Sequence, residues 1–206
     1  MTRRAGLTIL ELMLGLTVVA LVASIGTATL SLFGDNDKHR GEDLEKLARE
    51  VAVRRTITTW LEAAHASASS VSGTANGAFQ LTDARRGGRD ADVLLFTTSA
   101  PTLLGTGETT VRLYVDDDES TAEAGLTAEL RSWPGGPTAR VQLDSSVTAM
   151  NVRCLTSLLG NRRWVPSWVS TSVVPRGIEI RLHLRDKSAR SFLLQRPIVV
   201  ALEGGR

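Results

Sequence analysis

The chain has 206 residues, of which 42% are hydrophobic and 22% charged, with a formal net charge of +2. That length accommodates one hydrophobic core and an additional segment, and so small a net charge leaves no electrostatic footprint for nucleic acid. The single cysteine, Cys154, excludes an internal disulfide and a cysteine zinc site, and reads as a small buried apolar residue.

The first predicted element is a helix. Arg3 and Arg4 precede Gly6, Leu7 and Glu11, and no residue from 12 to 34 is charged. At 1.5 Å per residue that run spans roughly 34 Å, against a hydrocarbon core of about 30 Å. The expectation is a transmembrane helix, its N-terminus placed in the cytoplasm by the two arginines. Gly15, Thr17, Ser24, Gly26 and Thr27 give it many small or hydroxylated positions, which permit close helix–helix approach. Glu11 does not suit a plain anchor, because a charged side chain at mid-helix costs about 2.5–3.5 kcal/mol on insertion. It fits neither a secretory signal, which has a shorter apolar core, nor a twin-arginine signal. Two readings of Glu11 stand: a carboxylate favoured by the positive end of a helix, or one that meets a cationic partner.

The run Gly6-Leu7-Thr8-Ile9-Leu10-Glu11 resembles the processing signal of type IV pilins and type II secretion pseudopilins. Leu7 stands where that family commonly has Phe. The resemblance implies cleavage between Gly6 and Leu7 by a prepilin peptidase, followed by N-methylation of Leu7. It also implies an assembly role for Glu11, whose carboxylate would meet the Leu7 amine of a neighbouring subunit. Glu11 lies four residues after Leu7, one helical turn along on roughly the same face.

After Gly34, the residues Asp35, Asn36 and Asp37 mark either a break or a polar bend in one long helix. From Gly41 onward Leu44, Leu47, Ala48, Val51, Ile57, Trp60, Leu61 and Ala64 recur at helical spacing, with charged residues between them. The predicted organisation is a leader at 1–6, a transmembrane helix at 7–34, an amphipathic helix at 35–70 and a β-rich head at 71–206. Predicted strands cover 78–82, 92–98, 110–114, 126–133, 139–144, 147–155, 176–184 and 191–199, separated by glycine- and proline-bearing turns. Ile178, Ile180, Leu182 and Leu184 alternate with Glu179, Arg181 and His183, the pattern of a half-buried strand. Pro197 suggests an edge or a bulge, and residues 186–189 a hairpin turn.

The densest acidic cluster, Asp116-Asp117-Asp118-Glu119, reads as a solvated turn or a calcium loop. His39, His65 and His183 are far apart, and no nucleophile triad, phosphate loop or zinc-protease motif is present. No catalytic residue, metal ligand or cofactor is therefore assigned, and the chain is not expected to be an enzyme. Trp164 and Trp168 flank Val165-Pro166-Ser167, with Pro175 and the run Ile178-Glu179-Ile180 following. This order resembles the C-terminal part of the J class of minor pseudopilins. The two tryptophans either anchor a loop on the core or form an aromatic partner contact.

The resemblance implies an α+β, pilin-like fold, with a long N-terminal helix, half transmembrane and half amphipathic, packed on a β-rich periplasmic head. It implies a single-pass inner-membrane protein that joins a pseudopilus tip with minor pseudopilins I, K and H and the major pseudopilin. The tip primes assembly and supports protein export across the outer membrane. A minor type IV pilin, for adhesion, motility or DNA uptake, is the nearest alternative. A membrane-tethered enzyme or binding domain is the alternative of another class.

Overall fold

The computed structural model describes residues 9–66, 79–118, 120–133, 135–158, 161–170, 172–185 and 193–202. Within the helix, side chains are described at residues 9, 13–21, 24 and 43–62. The chain divides into two compact units, Met1–Lys46 and Leu47–Arg206. One helix, α1 (Ile9–Glu62), supplies the described backbone of the first unit and continues into the second.

In the first unit the described large apolar side chains of the helix are exposed. Ile9, Met13, Leu14, Leu16, Val18, Val19 and Leu21 all face outward. Thr17 Oγ1 donates to Leu14 O at 2.8 Å and Ser24 Oγ to Ala20 O at 2.5 Å, so both hydroxyls are satisfied by their own helix. Among the described residues no helix is long and apolar enough to cross a membrane. This overturns the expected transmembrane helix. The expected single pass through the inner membrane, with a periplasmic head, falls with it.

The expected fold class is corrected as well. The described architecture is dominated by strands, not by a long half-transmembrane, half-amphipathic helix lying on a β head. The physical reason lies in where burial begins along α1. Leu44, Leu47 and Val51, predicted for the packed stripe, are exposed at 67%, 46% and 47%. The buried stripe is Val53, Ile57, Trp60 and Leu61, so only the last turns of the helix enter the core. The helix ends at Glu62, before the predicted end at 70, and β1 (Ala64–His65) follows at once.

Strands β2 (Phe79–Thr82), β5 (Val93–Thr98), β6 (Thr109–Asp116), β7 (Gly125–Ser132), β8 (Thr138–Asp144) and β11 (Trp168–Ser170) build the larger sheet. Their order is β11-β2-β5-β6-β7-β8, and β1 pairs with the end of β5 beyond the reach of β2. The second sheet has the order β10-β9-β12-β13, from β9 (Val147–Leu158), β10 (Asn161–Val165), β12 (Gly177–Leu184) and β13 (Ile198–Ala201). Every ladder in both sheets is antiparallel. A small hairpin, β3 (Arg85–Arg86) and β4 (Arg89–Asp90), closes through Gly87 and Gly88 at φ 56° and 78°. Two successive positive φ angles match the twist of a two-residue hairpin, which is why this turn is Gly-Gly.

The core gathers the helix stripe with Phe79, Leu81, Leu94, Phe96, Val111, Leu113 and Leu130 of the larger sheet. From the smaller sheet it takes Met150, Val152, Cys154, Ile178 and Ile180. Each such large side chain contributes about 1.5–3 kcal/mol relative to exposure. Two polar devices hold the layers in place. Asp92, 1% exposed, precedes β5. Its Oδ1 accepts from Ala84 N at 3.1 Å and its Oδ2 from Val152 N at 2.7 Å, while its own N–H donates to Met150 O at 3.2 Å. One residue thus joins the larger sheet to β9 of the smaller. Burial pushes the Asp92 carboxyl above its ordinary range, and the two backbone donors only partly oppose this.

The second device is on the helix. Arg54 Nη1 donates to Leu193 O at 3.0 Å and to Arg196 O at 2.9 Å, and Nη2 donates to Pro197 O at 2.7 Å. Leu193 N donates to Glu50 Oε2 at 3.1 Å. Glu50 and Arg54, one turn apart, grip the turn that feeds β13.

Asp92→Asn keeps one acceptor and turns an amide N–H toward a backbone donor. The expected loss is about 1–3 kcal/mol in chemical denaturation; an unchanged midpoint and slope would refute the bridging role. Gly125 opens β7 at φ 109°, and a Cβ there would lie 2.4 Å from Asp144 O. Gly125→Ala is expected to cost more than about 1 kcal/mol, through strain at positive φ and displacement of the turn between β8 and β9. Calorimetry checks this, and wild-type stability in the alanine variant would contradict it.

Candidate functional site

The residues with the strongest motif fall partly outside the described chain. Gly6 and Leu7 lie outside the described residues. Glu11 lies on the backbone of α1, and its side chain is outside the description.

Trp164 and Trp168 are both described, and the fold gives them different neighbours. Trp164 sits on β10 opposite Leu155 of β9, at one edge of the smaller sheet. Trp168 begins β11 opposite Leu81 of β2, at one edge of the larger sheet. Pro166 and Ser167, both exposed, carry the chain between these edges. The proline ends β10 without leaving an unpaired N–H, and the two tryptophans land at the place where the chain changes sheets. Both rings are half-buried. Trp168 packs on the core, and its Nε1–H is buried without an acceptor among the described residues. Val169 and Val173, beside it, are 71% and 50% exposed.

Behind Trp164 lies a charged cluster that sequence reading did not assemble. Arg153 and Glu179 are opposite one another across β9 and β12. Arg153 Nε donates to Glu179 Oε2 at 3.1 Å, and its Nη2 donates to the same oxygen. Arg181 Nε donates to Glu179 Oε1 at 2.8 Å. The Arg153 guanidinium also stands 5.8 Å from the centre of the Trp164 ring, within cation–π range. Burial pushes the Glu179 carboxyl up, but the hydrogen bonds and charges of Arg153 and Arg181 outweigh it and hold the group below its ordinary value. The signal in the sequence was the alternation of Glu179 and Arg181 with buried isoleucines. The partnership with Arg153 needed the strand register.

The acidic loop is tied to local partners. Arg140 pairs with Asp116, and Arg86 with Asp117. Asp118 Oδ1 accepts from Ser120 N at 2.9 Å and Ser120 Oγ at 2.6 Å, and these bonds hold its carboxyl below the ordinary value. Thr121 Oγ1 donates to Asp116 Oδ2 at 2.9 Å. Glu119 lies outside the described residues. Among the described residues no group of three or more His, Cys, Asp or Glu side chains is placed to hold a metal ion.

The remaining chemistry-bearing side chains are dispersed. His65 Nε2 meets Glu108 Oε1 at 3.2 Å on the surface, and His183 is exposed on β12. Cys154 is fully buried within β9, and burial pushes its thiol up to about 12, which leaves it protonated and unreactive. An open cleft of about 610 Å³ beside the β3–β4 hairpin includes Arg89, Asp90, Thr148 and His183 in its lining. A groove of about 420 Å³ runs between the last turns of α1 and β8, lined by Trp60, Leu103, Val141 and Leu143 among others. Threonines stand in both linings, Thr148 in the cleft and Thr56, Thr59 and Thr102 in the groove. What the geometry can do best is present surface: an aromatic edge backed by fixed charge.

No protein-family model matches this chain, and no curated protein matches it.

Proposed function

We propose that this protein is a structural assembly subunit, a minor pseudopilin of the type II secretion system that works in the tip complex priming pseudopilus assembly. The observation that carries the reading is the run from Gly6 to Glu11, set between two arginines and an uncharged stretch. In this reading a prepilin peptidase cuts after Gly6, where the absence of a side chain admits the backbone to a narrow site. Leu7 then carries a cationic amine, and Glu11 of one subunit meets the Leu7 amine of the next. Each charge offsets the cost of burying the other, and the pairing fixes the register between neighbours.

Two features of the described chain support assembly. The first unit exposes Ile9, Met13, Leu14, Leu16 and Val19 on one helix, an apolar surface of the kind that partner contact covers. The second unit carries Trp164 and Trp168 on edge strands of its two sheets, and it exposes Val169 and Val173. The partners in this reading are minor pseudopilins I, K and H and the major pseudopilin, and the outcome is support for protein export across the outer membrane. The chain performs no chemistry itself and serves as substrate for the peptidase.

Mass spectrometry of the protein from its native host tests the reading directly. The expected mature N-terminus is N-methylated Leu7, and a chain that still begins at Met1 would overturn it. Glu11→Ala is expected to leave cleavage intact while pseudopilus formation and secretion fall. Normal assembly in that variant would refute the pairing of Glu11 with the amine.

A further inference from the structure

The outer face of the smaller sheet is built as a charged aromatic surface. Strand alternation puts Arg153, Arg162 and Trp164 on one side of the β9–β10 ladder, because Arg162 and Trp164 oppose Ser157 and Leu155. The same alternation brings Glu179 and Arg181 of β12, and Val199 of β13, to that side. Cys154, Ile178, Ile180 and Val200 point the other way, into the core. Among the described residues of these strands Glu179 is the single carboxylate on this face, against three guanidinium groups. It is 7% exposed and already shared between Arg153 and Arg181. The face is left with excess positive charge around a half-buried indole and a valine that is 63% exposed.

We infer that this face docks a carboxylate-bearing segment of a partner protein, with an apolar side chain against Trp164 and Val199 and carboxylates on Arg153, Arg162 and Arg181. The charge argues for an acidic partner, since a like-charged one would be repelled. The apolar residues argue for protein rather than nucleic acid, because a phosphodiester backbone has no aliphatic side chain to set against the exposed Val199. Arginine and tryptophan are the side chains that most often dominate interface energetics. Glu179 acts here as a positioning residue. By holding Arg153 under the indole and Arg181 beside it, it fixes two cations before a partner arrives. The inference rests on the assembly reading only in requiring a protein partner, and it does not depend on N-terminal processing.

The test titrates the full chain with a synthetic peptide of alternating glutamate and valine. Controls are the matching lysine–valine peptide and a single-stranded oligonucleotide. The readout is the indole N–H resonance of Trp164, assigned through Trp164→Phe. The glutamate peptide is expected to shift this resonance, with affinity that falls as salt rises. Arg162→Glu lies on an exposed edge strand and leaves the Glu179 cluster intact; it is expected to weaken binding by about tenfold. Absence of a shift, equal binding by the lysine peptide, tighter binding by the oligonucleotide, or unaltered affinity in Arg162→Glu would each overturn the inference. Peptide binding together with a native-host protein that still begins at Met1 would sink the processing reading and leave this one standing. A processed chain that ignores the peptide would do the reverse.

Discussion

The constraint on which the second unit most depends is a buried carboxylate. The Asp92 side chain accepts from the β2–β3 connection and from β9, while its own amide donates to β9. Desolvation disfavours its charge, as the raised pKa records. What keeps it in place is that Ala84 N and Val152 N have no alternative: in the core an unmet backbone N–H costs about as much as the bond itself. Hydrophobic burial alone would allow the two sheets to slide across each other. Asp92 fixes their relative register, and everything that follows from the smaller sheet, including the outer face of β9 and β12, inherits that register.

Glu50 and Arg54 do comparable work on the other side of the core. The apolar stripe of α1 presses on the sheets without directional preference, whereas Arg54 meets three carbonyls of the 193–197 turn in one fork. Leu193 O also accepts from Arg196 N within the turn, at 3.3 Å, so the guanidinium adds a fixed point to a turn that is already closed. Pro197, which has no N–H to give, closes the turn and delivers Ile198 and Val200 to the core. The helix therefore sets where the last strand starts, and that strand in turn covers the second edge of β12.

Much of the strand pattern was legible in the sequence. The alternation in 176–184 appears as β12 (Gly177–Leu184), and the predicted 92–98 and 139–144 appear within a residue of β5 and β8. Residues 191–199 were less legible. The expected hairpin at 186–189 and the first two residues of this strand lie outside the described residues; from Leu193 the described turn and Pro197, where a break was expected, delay β13 to Ile198. The helix misled in a different way. Leu44, Leu47 and Val51 share helical spacing with the core positions after them, and periodicity cannot say which turn first meets a sheet. The uncharged run likewise carried no statement of its surroundings. Trp164 and Trp168 stand close together in sequence, yet they belong to edges of different sheets, which no local pattern encodes. Asp92 was invisible for the same reason: its partners are 8 and 60 residues away.

The cluster around Glu179 does more than carry charge, because it orients the side chains bonded to it. A carboxylate this buried gains little net stability from its ion pairs, since desolvation cancels much of the Coulomb attraction. Apolar residues in its place would hold the sheet at least as well. What they would not do is orient guanidinium groups. Arg153 is fixed by two bonds to one oxygen of Glu179 and by the indole of Trp164, and Arg181 by the other oxygen. An unanchored arginine would lose more rotamer entropy on meeting a partner, of the order of 0.5–1.5 kcal/mol for a flexible side chain. The arrangement thus contributes little to folding alone, and it lowers the entropy that the two arginines would lose on meeting a carboxylate.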